Sequence, residues 1–335
     1  MKRIPEPIDP LGTPPPPLSG APQPAFRDQA LVERAGAAAN AFDTIWIDND
    51  RQDRVIASLR AHIGSWRRAG DDWKPSGRRL SQDSQAGKSA TMKRLRDLLR
   101  REAFDAGAKS TGHEVVIVLL KRRTTLKGLY QQILKSMGDP HWNQQVTAST
   151  LLQRIEEHAP MIGVQLLVID EAQHLDSQTN DAKEVLDQLK TFIDEGRFPV
   201  VLVGDPDSKE FFERNGQLAA RLGEPLELKP LKPLSDVDDA RAFRSFCHEF
   251  DRALKRAGAV AAISRLGMPP LVDGLLAASG GHLGRVARIL EIAVPFSVGR
   301  GADRIEAYDL SHAVRHYAIG NGWTKTDPFS TTSNA

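Results

Sequence analysis

The sequence predicts a three-layer α/β domain with a parallel sheet, followed by a smaller all-helical domain. Three observations predict it. Short, continuous apolar runs at 114–120, 165–170 and 199–204 suit strands buried on both faces. Segments with apolar residues at helical spacing lie between them. After L-K-P-L-K-P-L (228–234) the strand signals stop and only helical patterns remain. Strands that alternate with helices build a sheet covered on both sides.

Taken in order, residues 1–25 include P-P-P-P at 14–17 and few large apolar side chains. They are expected to be disordered, and 1–40 as a whole to form a Pro-rich tail and lead-in. The α/β domain is placed at 41–228. G-R-R-L-S (77–81) stands where its first strand belongs, although two arginines leave it little apolar content. Met92, Leu95, Leu98 and Leu99 mark a helix with a buried face behind it. E-V-V-I-V-L-L (114–120) is the next strand. Leu126, Leu129, Tyr130, Ile133, Leu134 and Met137 then follow the helical period, and Gly138 ends it. Q-L-L-V-I-D (165–170) is a third strand. Val185, Leu186, Leu189, Phe192 and Ile193 repeat the helical pattern up to Gly196, before P-V-V-L-V-G (199–204). In the helical domain, placed at 229–318, Val237, Ala240, Phe243, Phe246, Phe250 and Leu254 share one face. Further helices are expected near 271–278, 284–298 and 306–318. Residues 319–335, with Gly320, Gly322 and Pro328, are expected to be a flexible tail.

Composition narrows the class. Cys247 is the only cysteine among 335 residues, which excludes a disulfide framework and a cysteine-rich zinc site. No run of 18 apolar residues exists, so no transmembrane helix is expected. The start of the sequence lacks the apolar core of a secretory signal, and a cytoplasmic protein without membrane partners is the expectation. A net charge of +2 hides a basic region: residues 51–130 hold 19 Lys and Arg against 8 Asp and Glu. Such a region can hold nucleic acid, or can be a solvated surface.

The chemistry centres on L-S-Q-D-S-Q-A-G-K-S-A-T (80–91). A phosphate-binding loop of pattern G-x-x-x-x-G-K-[ST] wraps phosphates in backbone N–H groups at a helix N-terminus. Gly87, Lys88 and Ser89 have the required identities, whereas Gln82 stands where the pattern wants glycine. Asp83, Ser84, Gln85, Ala86 and Ala90 complete the candidate nucleotide-binding loop. L-L-V-I-D-E (166–171) ends a buried strand in two carboxylates, 82 residues after Lys88 counted to Asp170. Ser89 and Asp170 are candidate Mg²⁺ ligands, and Glu171 a candidate for orienting the attacking water. The alternative for Asp170 is a cap on the following helix.

Asp205 or Asp207, after the strand 199–204, can lie near a γ-phosphate, or can belong to a Gly-Asp-Pro turn. Arg214 and Arg221, seven apart, can share one helix face and reach a neighbouring subunit's site, or can be surface arginines. His174 reads as capping or packing. His312 and His316 share a helix face without an evident third metal ligand. Cys247, on a Phe-rich face, reads as core.

The ordered set of motifs resembles the AAA+ ATPases, and more narrowly the transposition regulators of the TniB and TnsC type. W-I-D-N-D-R-Q-D-R-V-I-A-S-L (46–59) resembles that family's opening helix, and D-S-Q-A-G-K-S its phosphate loop. V-I-D-E-A-Q-H-L resembles its acidic strand end, and V-L-V-G-D-P with Q-L-A-A-R-L-G its sensor strand and arginine-finger stretch. S-G-G-H-L-G-R-V-A-R-I-L (279–290) resembles its lid helix, with Arg285 in the second sensor position. The likeness spans about 41–318. It implies an ATPase using ATP and Mg²⁺ that forms a ring or filament on double-stranded DNA and hands the site to a transposase, with a targeting factor as a further partner. It also implies that Arg221 acts as the finger and that the loop after the second strand approaches DNA. Lys121, Arg122 and Arg123 of that loop can neutralise phosphates, and Thr124 or Thr125 can bond to them while one caps the helix. Such binding is largely sequence-independent. The same residues also fit a basic loop on a solvated rim. Gln82 leaves open a poorly hydrolysing scaffold, and initiator-type or secretion-type AAA+ ATPases are the remaining alternatives.

Overall fold

The computed structural model describes residues 28–68, 75–107, 111–176 and 179–330. The disorder expected at 1–25 lies outside them. In chain order the helices are α1 (Gln29–Asp43), α2 (Asp50–Arg67), α3 (Lys88–Asp105), α4 (Leu126–Ser136), α5 (Ala148–Met161) and α6 (Asn180–Glu195). They continue as α7 (Asp207–Arg214), α8 (Gly216–Ala219), α9 (Val237–Arg256), α10 (Leu271–Ser279), α11 (Leu283–Gly299) and α12 (Ala307–Ala313). The strands are β1 (Arg78–Ser81), β2 (Val115–Leu119), β3 (Leu166–Asp170) and β4 (Val200–Gly204).

The four strands form one parallel sheet in the order β1-β4-β3-β2. Its two faces follow from the two-residue period of strands. Leu80, Val115, Leu166, Val168, Val201 and Val203 point to one face, where Val55, Ile56, Leu59 and Ile63 of α2 meet Met92, Leu95 and Leu99 of α3. Val116, Val118, Leu167, Ile169, Val200 and Leu202 point to the other, under α4, α5 and α6. The helices take their starts from side-chain caps: Asn49 for α2, Thr125 for α4, Thr147 for α5 and Thr179 for α6. α5 is an element that sequence periodicity had not singled out.

β1 forms despite its arginines because its neighbours supply the pairing. It pairs with β4 on one side, and isolated parallel bridges join Gly77 to Leu222 and Leu80 to Leu226 on the other. Arg79 lies over the Phe212 ring, 5.9 Å from its centroid, a favourable cation–π arrangement.

Two compact units are resolved. The sheet unit comprises residues 48–230 with 282–284. The helical unit comprises the described residues up to Ile47, with 231–281 and 285 onward. This corrects two expectations. The lead-in before residue 41 contains most of α1, which belongs to the helical unit and stacks Phe42 on Phe250 at 5.5 Å between ring centroids. Residues 319–330, expected as a flexible tail, are packed there: Ser311 bonds to Asp327 at 2.5 Å, and buried Phe329 fills the notch left by Gly274. A few apolar contacts outweighed the turn-like composition of that segment. Cys247 is fully buried in the same unit, and burial pushes its thiol up to about 12. His312 and His316 make no metal pair. His312 stacks on Phe296 with centroids 3.7 Å apart, and burial, ahead of the charges of His316 and Arg315, lowers it to about 4.

Candidate nucleotide-binding site

Ligands of open parallel sheets bind beyond the carboxyl ends of the strands, where the strand order reverses. Here the chain leaves β1, crosses to β2 at the far edge and works back, so that β4 comes between β1 and β3. The carboxyl ends of these three strands carry Ser81, Gly204 and Asp170.

The loop 82–87 joins β1 to α3. Gln82 N–H donates to Gly204 O at 3.2 Å, which anchors the loop to β4. The left-handed backbone positions are Gln85 (φ 60°) and Gly87 (φ 95°), and Gln82 is not among them. The position where the sequence pattern asks for glycine therefore needs none of its conformational freedom. Gly87 does need it, and as the residue before α3 it provides no side-chain cap. The first amides of α3 are thus left for an anion, and the helix dipole favours negative charge there. We expect Gln82→Gly to leave nucleotide affinity within about twofold and to cost about 0.5–1 kcal/mol of stability through the unfolded chain. A nucleotide titration and a denaturant melt check this; a large gain in affinity would show that Gln82 obstructs the loop.

Several residues that sequence reasoning had not singled out hold this loop. Gln52 of α2 donates from Nε2 to Thr91 Oγ1 at 2.9 Å and to Gly87 O at 3.4 Å. Asp83 faces buried His282, with Oδ2 and Nε2 3.4 Å apart. Gly284 lies so near the loop that an added Cβ would stand 2.1 Å from Gln85 O. Gln52, His282 and Gly284 fall inside stretches that carried the family likeness, but nothing in their spacing marks them individually.

Lys88 Nζ donates to the carbonyls of Gln82 and Asp83 at 2.5 and 3.1 Å. Burial lowers its pKa, while Asp170, Glu171, Asp205 and Asp83 pull it back up. Ser89 Oγ donates to Asp170 Oδ2 at 3.3 Å. Asp170 is buried, and its other oxygen accepts from Glu171 N–H at 2.9 Å, so its caps fall on its own turn and not on a following helix. Glu171 takes the left-handed conformation (φ 61°, ψ 40°), a costly one for a residue with a side chain. Its carboxylate accepts a hydrogen bond from Gln173 Nε2.

Asp205 follows β4 and uses Oδ1 to accept from Ser208 N–H at 3.1 Å, which fixes the turn into α7. Asp207 is exposed in the first turn of α7. The structure thus brings Lys88, Ser89, Asp170, Glu171 and Asp205 together around the loop of Asp83, Ser84, Gln85, Ala86 and Gly87, with Ala90 exposed on the first turn of α3.

Several other candidates have partners of their own. Arg214 and Arg221 do not share a helix face: α7 ends at Arg214, Asn215 starts α8, and Arg221 follows it. Arg214 pairs with Asp176 at 2.8 Å and Arg221 with Asp194 at 2.7 Å. In the helical unit Arg285 lies over Trp323 at 5.4 Å, with a 3.5 Å contact to Ser279 O. Lys121, Arg122 and Arg123 are exposed on the turn after β2, where Arg123 has φ 60°. Thr124 bonds to Lys121 within that turn, and Thr125 caps α4 through Gly128 N–H. Both hydroxyls are thus engaged in shaping the loop. Leu120 N–H, just before it, donates to Asp170 O at 3.0 Å. His174 lies half-buried in the short 3-10 turn Ala172–Leu175.

Among the described residues, no group of three His, Cys, Asp or Glu side chains could cage a metal alone, and no helix is long and apolar enough to cross a membrane. Mg²⁺ needs no such cage, since it is commonly held by one or two protein oxygens and substrate phosphates. The Ser89–Asp170 pair offers such oxygens.

Comparison with known proteins agrees with this architecture. The pattern of the family described as "Bacterial TniB protein" matches residues 40–233, more than half of the chain. No curated protein matches it significantly in sequence. Among solved structures, the Aeropyrum pernix ORC2 protein, in its ADPNP-ADP complexes, is similar with a TM-score of 0.58 and 16% identity, over 82% of this chain and 71% of that one. The Aeropyrum pernix ORC1 protein in complex with DNA is similar with a TM-score of 0.55 and 18% identity, over 80% of this chain. The chain spans 65% of that protein's length. A Walker-type ATPase of Pyrococcus abyssi gives a TM-score of 0.54 at 12% identity, over 84% and 76% of the two chains. The parallel sheet with its helical C-terminal region is that of the ORC-like AAA+ ATPases, and by the match across residues 40–233 the chain belongs to the bacterial TniB family.

Proposed function

We propose that this chain is an ATP-dependent, DNA-binding AAA+ regulator of DNA transposition. It assembles as a ring or filament on target DNA and recruits or activates a transposase, with a targeting factor as a further partner. The observation that carries the reading is the meeting of Ser89 with Asp170, beside Lys88 and Glu171, at the uncapped start of α3. Family membership supports transposition as the setting.

In this reading the loop amides from Asp83 to Ala90 bind the phosphates of ATP, and Lys88 exchanges its carbonyl partners for phosphate oxygens. Ser89 and Asp170 would hold Mg²⁺, which when bound would supply positive charge to offset that of the phosphates. The requirement for a divalent cation has an electrostatic reason. Four carboxylates lie around the Lys88 ammonium, and each repels a bare triphosphate. Glu171 orients the attacking water and accepts its proton. Arg221, freed from Asp194, serves a neighbouring copy's nucleotide, with Arg214 as the second arginine for it; Asp205 takes the sensing role near the γ-phosphate, and Arg285 the second-sensor role that the family likeness implies. The poorly hydrolysing scaffold remains the alternative; the ordinary backbone at Gln82 supports the hydrolysing reading, and ATP turnover with and without DNA separates the two.

The turn Lys121–Arg123 contacts DNA phosphates while Thr124 and Thr125 hold its shape. Replacing Lys121, Arg122 and Arg123 together by alanine is expected to lower the slope of log affinity against log salt by about 2–3, since each duplex phosphate contact contributes about 0.9. An unchanged slope would place the DNA elsewhere. Electron microscopy with duplex DNA tests the function as a whole. Ordered assemblies should form with ATP or a slowly hydrolysed analogue and not without nucleotide; equal assembly in all cases, or none, contradicts it.

A further inference from the structure

We infer that Gln173 is a positioning residue for hydrolysis: its side-chain amide holds the Glu171 carboxylate and ties it to the turn after β4. The inference deepens the ATPase reading and rests on it.

The amide has two partners on opposite sides. Its Nε2 donates to Glu171 Oε2. Its Oε1 accepts from Asp205 N–H at 3.3 Å. Turning the amide over would set its oxygen against a carboxylate and its NH₂ against another N–H, so the two partners fix its orientation. The surroundings are shaped for it. A Cβ on Gly204 would come 2.5 Å from Ser208 Oγ and 3.1 Å from Gln173 Oε1, so glycine at the end of β4 makes room for Ser208 and leaves Gln173 closely packed beside it. Ser208 is buried and bonds to Asp205 O at 2.6 Å and to Ser81 Oγ at 2.7 Å, which fixes the Asp205 turn to β1. A chain of hydrogen bonds thus runs from the first strand, through the turn after β4, to the carboxylate at the end of β3.

That carboxylate needs such support. Glu171 sits on a left-handed residue between a strand and a 3-10 turn, and a glutamate side chain has three rotatable bonds. A group that orients water must be held to a fraction of an ångström for its contribution to be realised. Gln173 supplies that restraint without touching nucleotide. It also makes Glu171 sensitive to movement of the Asp205 turn, so displacement of that turn releases the carboxylate.

The test separates the donated N–H from mere packing. Gln173→Glu keeps the size and the acceptor for Asp205 N–H but removes the donor; Gln173→Leu removes both. In ATP turnover at pH 8 with Mg²⁺ and duplex DNA, both variants are expected to lose about 10- to 100-fold in kcat, with the Glu variant at least as slow as the Leu variant. Nucleotide affinity, measured separately by titration with ATP and Mg²⁺, is expected to stay within about twofold in both. A Glu variant with wild-type kcat overturns the inference, because a structural acceptor would then suffice. So does loss of affinity in parallel with kcat. If the wild-type chain itself turns over no ATP, the reading of the site fails first and takes this inference with it.

Discussion

Lys88→Ala is expected to abolish nucleotide-dependent assembly on duplex DNA and to weaken ATP binding about 30- to 1000-fold, the equivalent of roughly 2–4 kcal/mol for one partner of a buried charge contact. The size of the effect follows from its surroundings. The Lys88 ammonium lies among the carboxylates of Asp83, Asp170, Glu171 and Asp205. Without it the loop 82–90 has no cation of its own to offset those four carboxylates. The fold is expected to survive, because Lys88 bonds only to carbonyls of its own loop, at Gln82 and Asp83. Titration with ATP and Mg²⁺, beside a thermal melt, distinguishes lost binding from lost folding. A variant that melts normally and still assembles with ATP would remove the proposed mechanism.

Glu171→Gln is expected to act in the opposite sense on assembly. Turnover should fall by about 10²–10⁴, the usual contribution of a positioned general base, while ATP and DNA binding persist. Assemblies formed with ATP should then resist disassembly and behave as wild-type assemblies do with a slowly hydrolysed analogue. The amide matches the carboxylate in shape and can still meet Gln173, so the change is confined to proton acceptance. Single-turnover hydrolysis and the lifetime of the DNA complex read the two halves of the prediction. Wild-type turnover in this variant would move the base to another residue.

The sheet was legible because β2, β3 and β4 are continuous apolar runs, which only burial on both faces explains. β1 was the least legible strand, since its stability comes from pairing with β4 and from bridges to Leu222 and Leu226, far along the chain. The centre of the site was legible through residue identity: a Gly-Lys-Ser before a helix and an Asp-Glu after a buried strand. Gln82, where the pattern wants glycine, has an ordinary backbone. The loop puts its left-handed turns at Gln85 and Gly87, and backbone angles cannot be read from a consensus pattern. The expected common face of Arg214 and Arg221 failed at Asn215, whose side chain accepts from Leu218 N–H and starts a new helix. Gln52 and Gln173 escaped notice because amide side chains carry no charge or spacing signature; only their partners reveal them. The packed end of the helical unit was missed for a similar reason, as Phe329 is a lone aromatic whose notch is made by Gly274.

The central claim is that the backbone between β1 and α3, with Lys88, encloses a nucleotide triphosphate through a divalent cation. Equilibrium titration of the wild-type chain with ATP, in Mg²⁺ and in excess chelator, tests it most directly. The account predicts saturable binding at one site per chain in Mg²⁺ and its loss on chelation. Absence of saturable binding with Mg²⁺ and duplex DNA both present would contradict it.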